Sequence, residues 1–180
     1  MNQIDLAEEI IRNEGNNYQN LLETSIFYQL LDLYRKHCGF VPEFKKENLT
    51  KIDVGTKFSY VKKICELDVL MYGLLSGDFN PIHFDKDIAK KTKFGEPVVH
   101  GLLTGSLISA LLARLPGIPV LLSCTLNFKS PVKPGDIVTV DGEIVEVDQT
   151  KKNRFTVKVI CRINEKVVVE GQVKILIWYI

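Results

Sequence analysis

Between residues 155 and 163 the side chains alternate, with Phe155, Val157, Val159, Cys161 and Ile163 set against Thr156, Lys158, Ile160 and Arg162. A period of two predicts a strand with one buried face. Neighbouring runs at 119–129, 136–147 and 166–179 carry the same signal, and a shorter extended run covers 57–64. Short connections near Pro134-Gly135 and Asn164-Glu165 predict antiparallel neighbours across each of them. The spacing changes at Glu66 to Leu75, where Leu67, Leu70, Met71 and Leu74 predict a helix that stops at Ser76-Gly77. Residues 101–115 place apolar or small side chains on every face of a helix about 22 Å long, before Pro116-Gly117 ends it. A helix of that kind is expected to be buried on nearly all sides. A curved antiparallel sheet of about five strands wrapped around it, an α+β arrangement, covers both elements economically.

The first 50 residues form a separate block. They carry eight acidic side chains against five basic ones, while the whole chain of 180 residues stands at +1. Tyr18, Leu21, Leu22, Ile26, Phe27, Leu30, Leu31, Leu33 and Tyr34 recur at three- and four-residue steps, predicting an amphipathic helix that ends near Cys38-Gly39. A shorter helix is expected around residues 4–13. Two short helices bury little by themselves, so this extension is expected to pack on the main domain or on a second chain. The organisation read from the sequence is an N-terminal helical extension over 1–50 and one domain over 51–180.

Composition narrows the function classes. Hydrophobic residues at 46% and charged residues at 25% describe an ordinary globular chain. Charge near balance argues against a generic binder of nucleic acid or anionic membrane. Cys38, Cys65, Cys124 and Cys161 lie far apart without a C-x-x-C pair, so zinc and redox motifs have no support. The first residues are acidic where a leader would be basic, and the longest apolar stretch, Leu102 to Ala113, is too short and too interrupted to span a bilayer. A cytoplasmic location is the expectation.

The chemistry concentrates in Ser76-Gly77-Asp78-Phe79-Asn80-Pro81-Ile82-His83. Gly77 and Asn-Pro bend the chain, so Asp78 and His83 sit on a loop where their side chains can converge. A carboxylate and an imidazole sharing one water can take a proton from it and return one elsewhere, as addition of water across a double bond requires. Pro97-Val98-Val99-His100-Gly101 then opens directly into the apolar helix. N–H groups at a helix start stabilise a developing oxyanion, and Gly101 lets a carbonyl oxygen come close.

G-D-x-N-P-x-H followed by V-H-G resembles the hydratase motif of the MaoC-like (R)-specific enoyl-CoA hydratases and 3-hydroxyacyl-thioester dehydratases. The resemblance covers roughly residues 51–180, including the Pro-Gly-Asp turn at 134–136, and is silent on the first 50. It implies the hot dog fold and a dimeric or pseudo-dimeric assembly, here most simply a homodimer. It implies that Asp78 and His83 hold the catalytic water, that Asn80 shapes the loop between them, and that the Gly101 amide is the oxyanion donor. Val99 belongs to the same substrate-binding segment, and Ser109 matches a position near the reacting end of the substrate. The implied reaction is reversible syn hydration of a trans-2-enoyl thioester of coenzyme A or acyl carrier protein to the (R)-3-hydroxyacyl thioester. It implies no cofactor and no metal.

Other readings stand beside this one. A hot dog thioesterase shares the fold, and a non-catalytic or partner-dependent dehydratase subunit would account for an added N-terminal interface. His83 with Asp85 offers two metal ligands and no clear third. His100 reads as a local structural residue that satisfies nearby backbone, and Asp85 and Asp87 as caps of a short helix. Lys86, Lys90, Lys91 and Lys93 read as a solvated face that could also meet phosphates or an acidic carrier.

Overall fold

The structure is a computed structural model and describes residues 25–39, 46–47, 49, 51–151 and 153–179. The chain divides into two compact units, Met1–Lys46 and Glu47–Ile180. In the first, helix α1 spans Ser25–Cys38 and ends as its pattern predicts. Arg35, Lys36 and His37 occupy the last turn, where the helix dipole favours cations. Gly39, at φ 73°, closes the helix through its N–H to the Arg35 carbonyl at 2.9 Å. The helix expected at 4–13 and the beginning of the 18–34 pattern lie outside the described residues.

The second unit runs β1 (Lys57–Lys63), α2 (Glu66–Ser76), a 3-10 turn (Pro81–His83), α3 (Lys86–Lys90), α4 (Gly101–Ala113), β2 (Ile118–Phe128), β3 (Ile137–Val147), β4 (Arg154–Ile163) and β5 (Lys166–Trp178). The five strands form one antiparallel sheet in the order β1-β3-β4-β5-β2. Their inward residues, such as Val140, Ile144, Val157, Val159 and Ile175, are fully buried and meet the buried face of α4 through Leu107, Ile108 and Leu111. Gly142 on β3 allows the close approach, since a Cβ there would come within 2.8 Å of the Phe58 ring and 3.0 Å of Leu111.

Two expectations need correction. Strands β2 and β3 are not neighbours, because the Pro134-Gly135 turn does not fold β3 back on β2. Instead the turn docks at the end of β1, where the Gly135 N–H bonds to the Ile64 carbonyl at 2.7 Å and the Ile64 N–H to Asp136 at 2.9 Å. The segment from Lys129 to Asp136 therefore crosses from one edge of the sheet to the other. On its way it passes the start of α4, with the Val99 N–H bonded to the Val132 carbonyl at 2.8 Å. The second correction concerns α4, which is not covered on all sides. Leu102, Ser106, Ser109 and Ala113 form an exposed stripe along it.

Candidate active site

Helix α2 stops because Gly77 adopts the left-handed conformation, at φ 75°, and turns its N–H back to the Gly73 carbonyl. Short polar side chains then shape the loop. The Ser76 hydroxyl donates to the Tyr72 carbonyl at 2.7 Å and accepts the Asp78 N–H at 3.2 Å. The Asp78 carboxylate accepts the Asn80 N–H at 3.2 Å, and the Asn80 side-chain oxygen accepts the Ile82 N–H at 3.2 Å. Pro81 starts the 3-10 turn, which brings His83 round to Asp78. Asp85 caps α3 by accepting from Asp87 and Ile88, as expected.

The outcome is a pair whose closest atoms, His83 Nε2 and Asp78 Oδ2, lie 3.9 Å apart. That is too far for a direct hydrogen bond, yet one water oxygen at ~2.8 Å from each can span it. The His83 side chain is 11% exposed and that of Asp78 49%. His83 Nδ1 sits 2.7 Å from the Val98 carbonyl. A carbonyl only accepts, so Nδ1 carries a hydrogen, and in the neutral ring Nε2 presents its lone pair towards the carboxylate. Two acceptors on one water turn both of its hydrogens inward and leave an oxygen lone pair free to attack an electrophile.

Gly101 is the first residue of α4, so its N–H has no partner within the helix. A Cβ at Gly101 would stand 3.3 Å from the Phe128 ring, so the bare glycine keeps the approach to this amide open. His83, Val99, Gly101, Thr104 and Phe128 line one groove of about 780 Å³. Lys93, Lys129, Lys133 and Lys166 line the same groove. Lys129 pairs with Glu170 at 2.8 Å and Lys133 with Glu96.

The structure thus brings together Asp78, Asn80 and His83 in one turn, and His83, Val99 and Gly101 around one groove. Asp78, half exposed, does not line that groove, although its carboxylate lies 3.9 Å from His83 Nε2. Ser109 is exposed on the open stripe of α4 and is absent from the groove lining. Of the lysine run, only Lys93 reaches the groove. The three lysines from Lys129, Lys133 and Lys166 have no signature in spacing, because the crossing segment and the β4–β5 turn bring them in from distant positions. As for metals, Asp78, His83 and His100 offer ligand atoms within 4.8 Å of one another. One nitrogen of each ring already faces a main-chain carbonyl, His83 Nδ1 facing Val98 and His100 Nε2 facing Asp78. Among the described residues no helix is long and apolar enough to cross a membrane.

Comparison with known proteins gives a consistent set of relatives. Residues 47–167 match the family described as MaoC like domain. The 3-hydroxybutyryl-CoA dehydratase of Methylorubrum extorquens is 38% identical over 134 residues, covering 73% of this chain and 85% of that protein. The (R)-specific enoyl-CoA hydratase of Rhodospirillum rubrum is 36% identical over 128 residues, covering 70% and 88%. Among solved structures, a crystal structure of a protein from Archaeoglobus fulgidus superposes with a TM-score of 0.81 at 49% identity, covering 86% of this chain and 96% of that one.

Proposed function

We propose, from the premise that this chain belongs to the MaoC-like family, that its groove is the active site of a hydro-lyase for acyl thioesters. The enzyme adds water reversibly to a trans-2-enoyl thioester and forms the (R)-3-hydroxyacyl thioester. The observation that carries this reading is the 3.9 Å gap between His83 Nε2 and Asp78 Oδ2, at the edge of a groove that also holds the Gly101 amide.

The thioester oxygen rests on the Gly101 N–H at the positive end of α4, which draws electrons along the conjugated chain and makes C3 electrophilic. Water held between Asp78 and His83 attacks C3, and the pair takes one of its protons. The C2=C3 π electrons move into the enolate, whose oxygen the Gly101 amide stabilises. The pair then returns a proton to C2 from the same face, which restores the thioester and both side chains. The lysines around the groove suit a polyanionic carrier, as coenzyme A and acyl carrier protein both are. No step of this reading calls on a metal or cofactor.

The test is purified protein with crotonyl-CoA. The expected result is loss of the enoyl absorbance without release of free thiol, and (R)-3-hydroxybutyryl-CoA as the product. Thiol release at the rate of enoyl loss would point to thioester hydrolysis instead, and an (S) product would contradict the (R)-specific reading.

The homodimer reading rests on β2. This edge strand has no charged residue over its 11 positions and leaves Leu121 and Leu122 about half exposed. The opposite edge, β1, carries Lys57 and Lys63 at exposed positions. Exposed edges are normally guarded by charge, and β2 is not, so the reading is a homodimer joined edge to edge through β2. Leu121→Lys combined with Leu122→Lys is expected to convert a dimer to a monomer in light scattering after size-exclusion chromatography. A wild-type monomer, or a variant that stays dimeric, would rule out this interface.

A further inference from the structure

His100 is the N-cap residue of α4, and its carbonyl accepts the Thr104 N–H at 3.2 Å, but its side chain makes no hydrogen bond to that helix start. The side chain instead reaches 22 residues back along the sequence, where Nε2 lies 2.9 Å from the main-chain carbonyl of Asp78. The residue is 2% exposed. Its ring stacks on that of His83, with centroids 3.8 Å apart and planes at 29°. Tyr72, at 4.9 Å, and Phe84, at 5.7 Å, flank the same ring. His100 is not among the residues lining the groove.

We propose that His100 is the positioning residue of the Asp78–His83 pair: its Nε2–H holds the Asp78 main chain while its ring face holds the His83 imidazole. A single buried side chain thereby touches both members of the pair and fixes their separation. This inference rests on the hydro-lyase reading above and deepens it.

The tautomer follows from the contacts. The Asp78 carbonyl can only accept, so Nε2 carries the hydrogen. Nδ1 is buried with no partner among the described residues, so a hydrogen there would go unmatched. His83 has the opposite arrangement, with its hydrogen on Nδ1 towards Val98. The two stacked rings are therefore held in opposite tautomers by two main-chain carbonyls. The Asp78 carbonyl and the carboxylate share one Cα, so a slack carbonyl moves the carboxylate relative to Nε2 of His83. Displacements of ~1 Å at a reacting group lower rates by up to about 10²-fold.

The experiment has two arms. In the first, His100→Leu, which keeps the bulk and removes the donor, is compared with His100→Gln, whose amide N–H reaches about as far as Nε2. The expected result on crotonyl-CoA is a kcat lowered ~10- to 100-fold in His100→Leu, with KM within about threefold of wild type. His100→Gln is expected to recover kcat to within about fivefold. Near-normal kcat in the leucine variant overturns the proposal. So does an equal loss in both variants when their melting temperatures match that of the wild type. The second arm needs no activity, and it decides the matter if the leucine variant does not fold. Imidazole 15N spectra of the histidine-labelled full chain are assigned with His37→Gln and His83→Gln and recorded where the rings are neutral. They are expected to show His100 as the Nε2–H tautomer and His83 as the Nδ1–H tautomer. His100 found as the Nδ1–H tautomer overturns the clamp. The correct tautomers in a protein that does not hydrate crotonyl-CoA would leave the clamp standing and remove the hydro-lyase reading.

Discussion

Asp78→Asn and His83→Gln each lower kcat on crotonyl-CoA by about 10²-fold or more and leave the fold intact. The expectation follows from what each change removes. Asparagine keeps the size of Asp78 and the oxygen that accepts the Asn80 N–H at 3.2 Å, so the loop retains its shape, but the amide cannot hold a proton taken from water. Glutamine at 83 keeps polarity near the Val98 carbonyl and loses the Nε2 lone pair that faces the carboxylate. The two side chains act on one water, so their effects do not add: the double variant is expected to fall little below the weaker single one. Steady-state kinetics with a melting curve for each variant checks this. Turnover within a few-fold of wild type in either single variant would remove the assigned pair.

The largest expected effect on stability lies at the start of α2. Lys62, on β1, donates to both carboxylate oxygens of Asp68 at 2.9 Å, and the two side chains are 8% and 9% exposed. Asp68 also accepts the Cys65 N–H at 2.8 Å, which helps to tie the helix start to the strand. Burial pulls the Lys62 pKa below its ordinary value, while the hydrogen bond to Asp68 and its charge pull it back up. Removing one charge takes this ion pair from the other at a buried position. Asp68→Asn and Lys62→Met are therefore each expected to destabilise the fold by about 3–5 kcal/mol. Lys62→Met with Asp68→Leu, which removes both charges, is expected to recover part of that loss but not the share owed to the Cys65 N–H. Urea denaturation measures all three. A loss below about 1 kcal/mol in both single variants would show that water reaches the pair.

Local patterns were legible, and distant contacts were not. The strand alternation places β1, β3, β4 and β5 within a residue or two of their observed bounds, because a strand with one buried face repeats its demand at every second residue; β2 is found at its expected place as well, although none of its residues is buried. The loop from Gly77 to His83 was legible for a similar reason: glycine, asparagine and proline each restrict the backbone within a few residues. Sheet order failed at β2 and β3, because Pro134-Gly135 specifies a turn but not its destination beside Ile64. The exposed stripe of α4 was missed because Leu102, Ser106, Ser109 and Ala113 are apolar or small, as buried residues are. A face that awaits another surface has the same composition. Two links that set the site, His83 to Val98 and His100 to Asp78, join positions 15 and 22 residues apart. From the sequence His100 reads as a local structural residue, because spacing says nothing of a side chain that turns away from its own helix.

The central claim is that one pair, on one side of the bound acyl group, delivers both parts of water. Hydration of crotonyl-CoA in D2O, with the relative configuration at C2 and C3 of the product read by proton NMR, tests it most directly. Syn addition, with deuterium at C2 and the hydroxyl at C3 arriving on the same face, is the predicted result. Anti addition requires a proton donor on the face opposite Asp78 and His83 and would contradict the account.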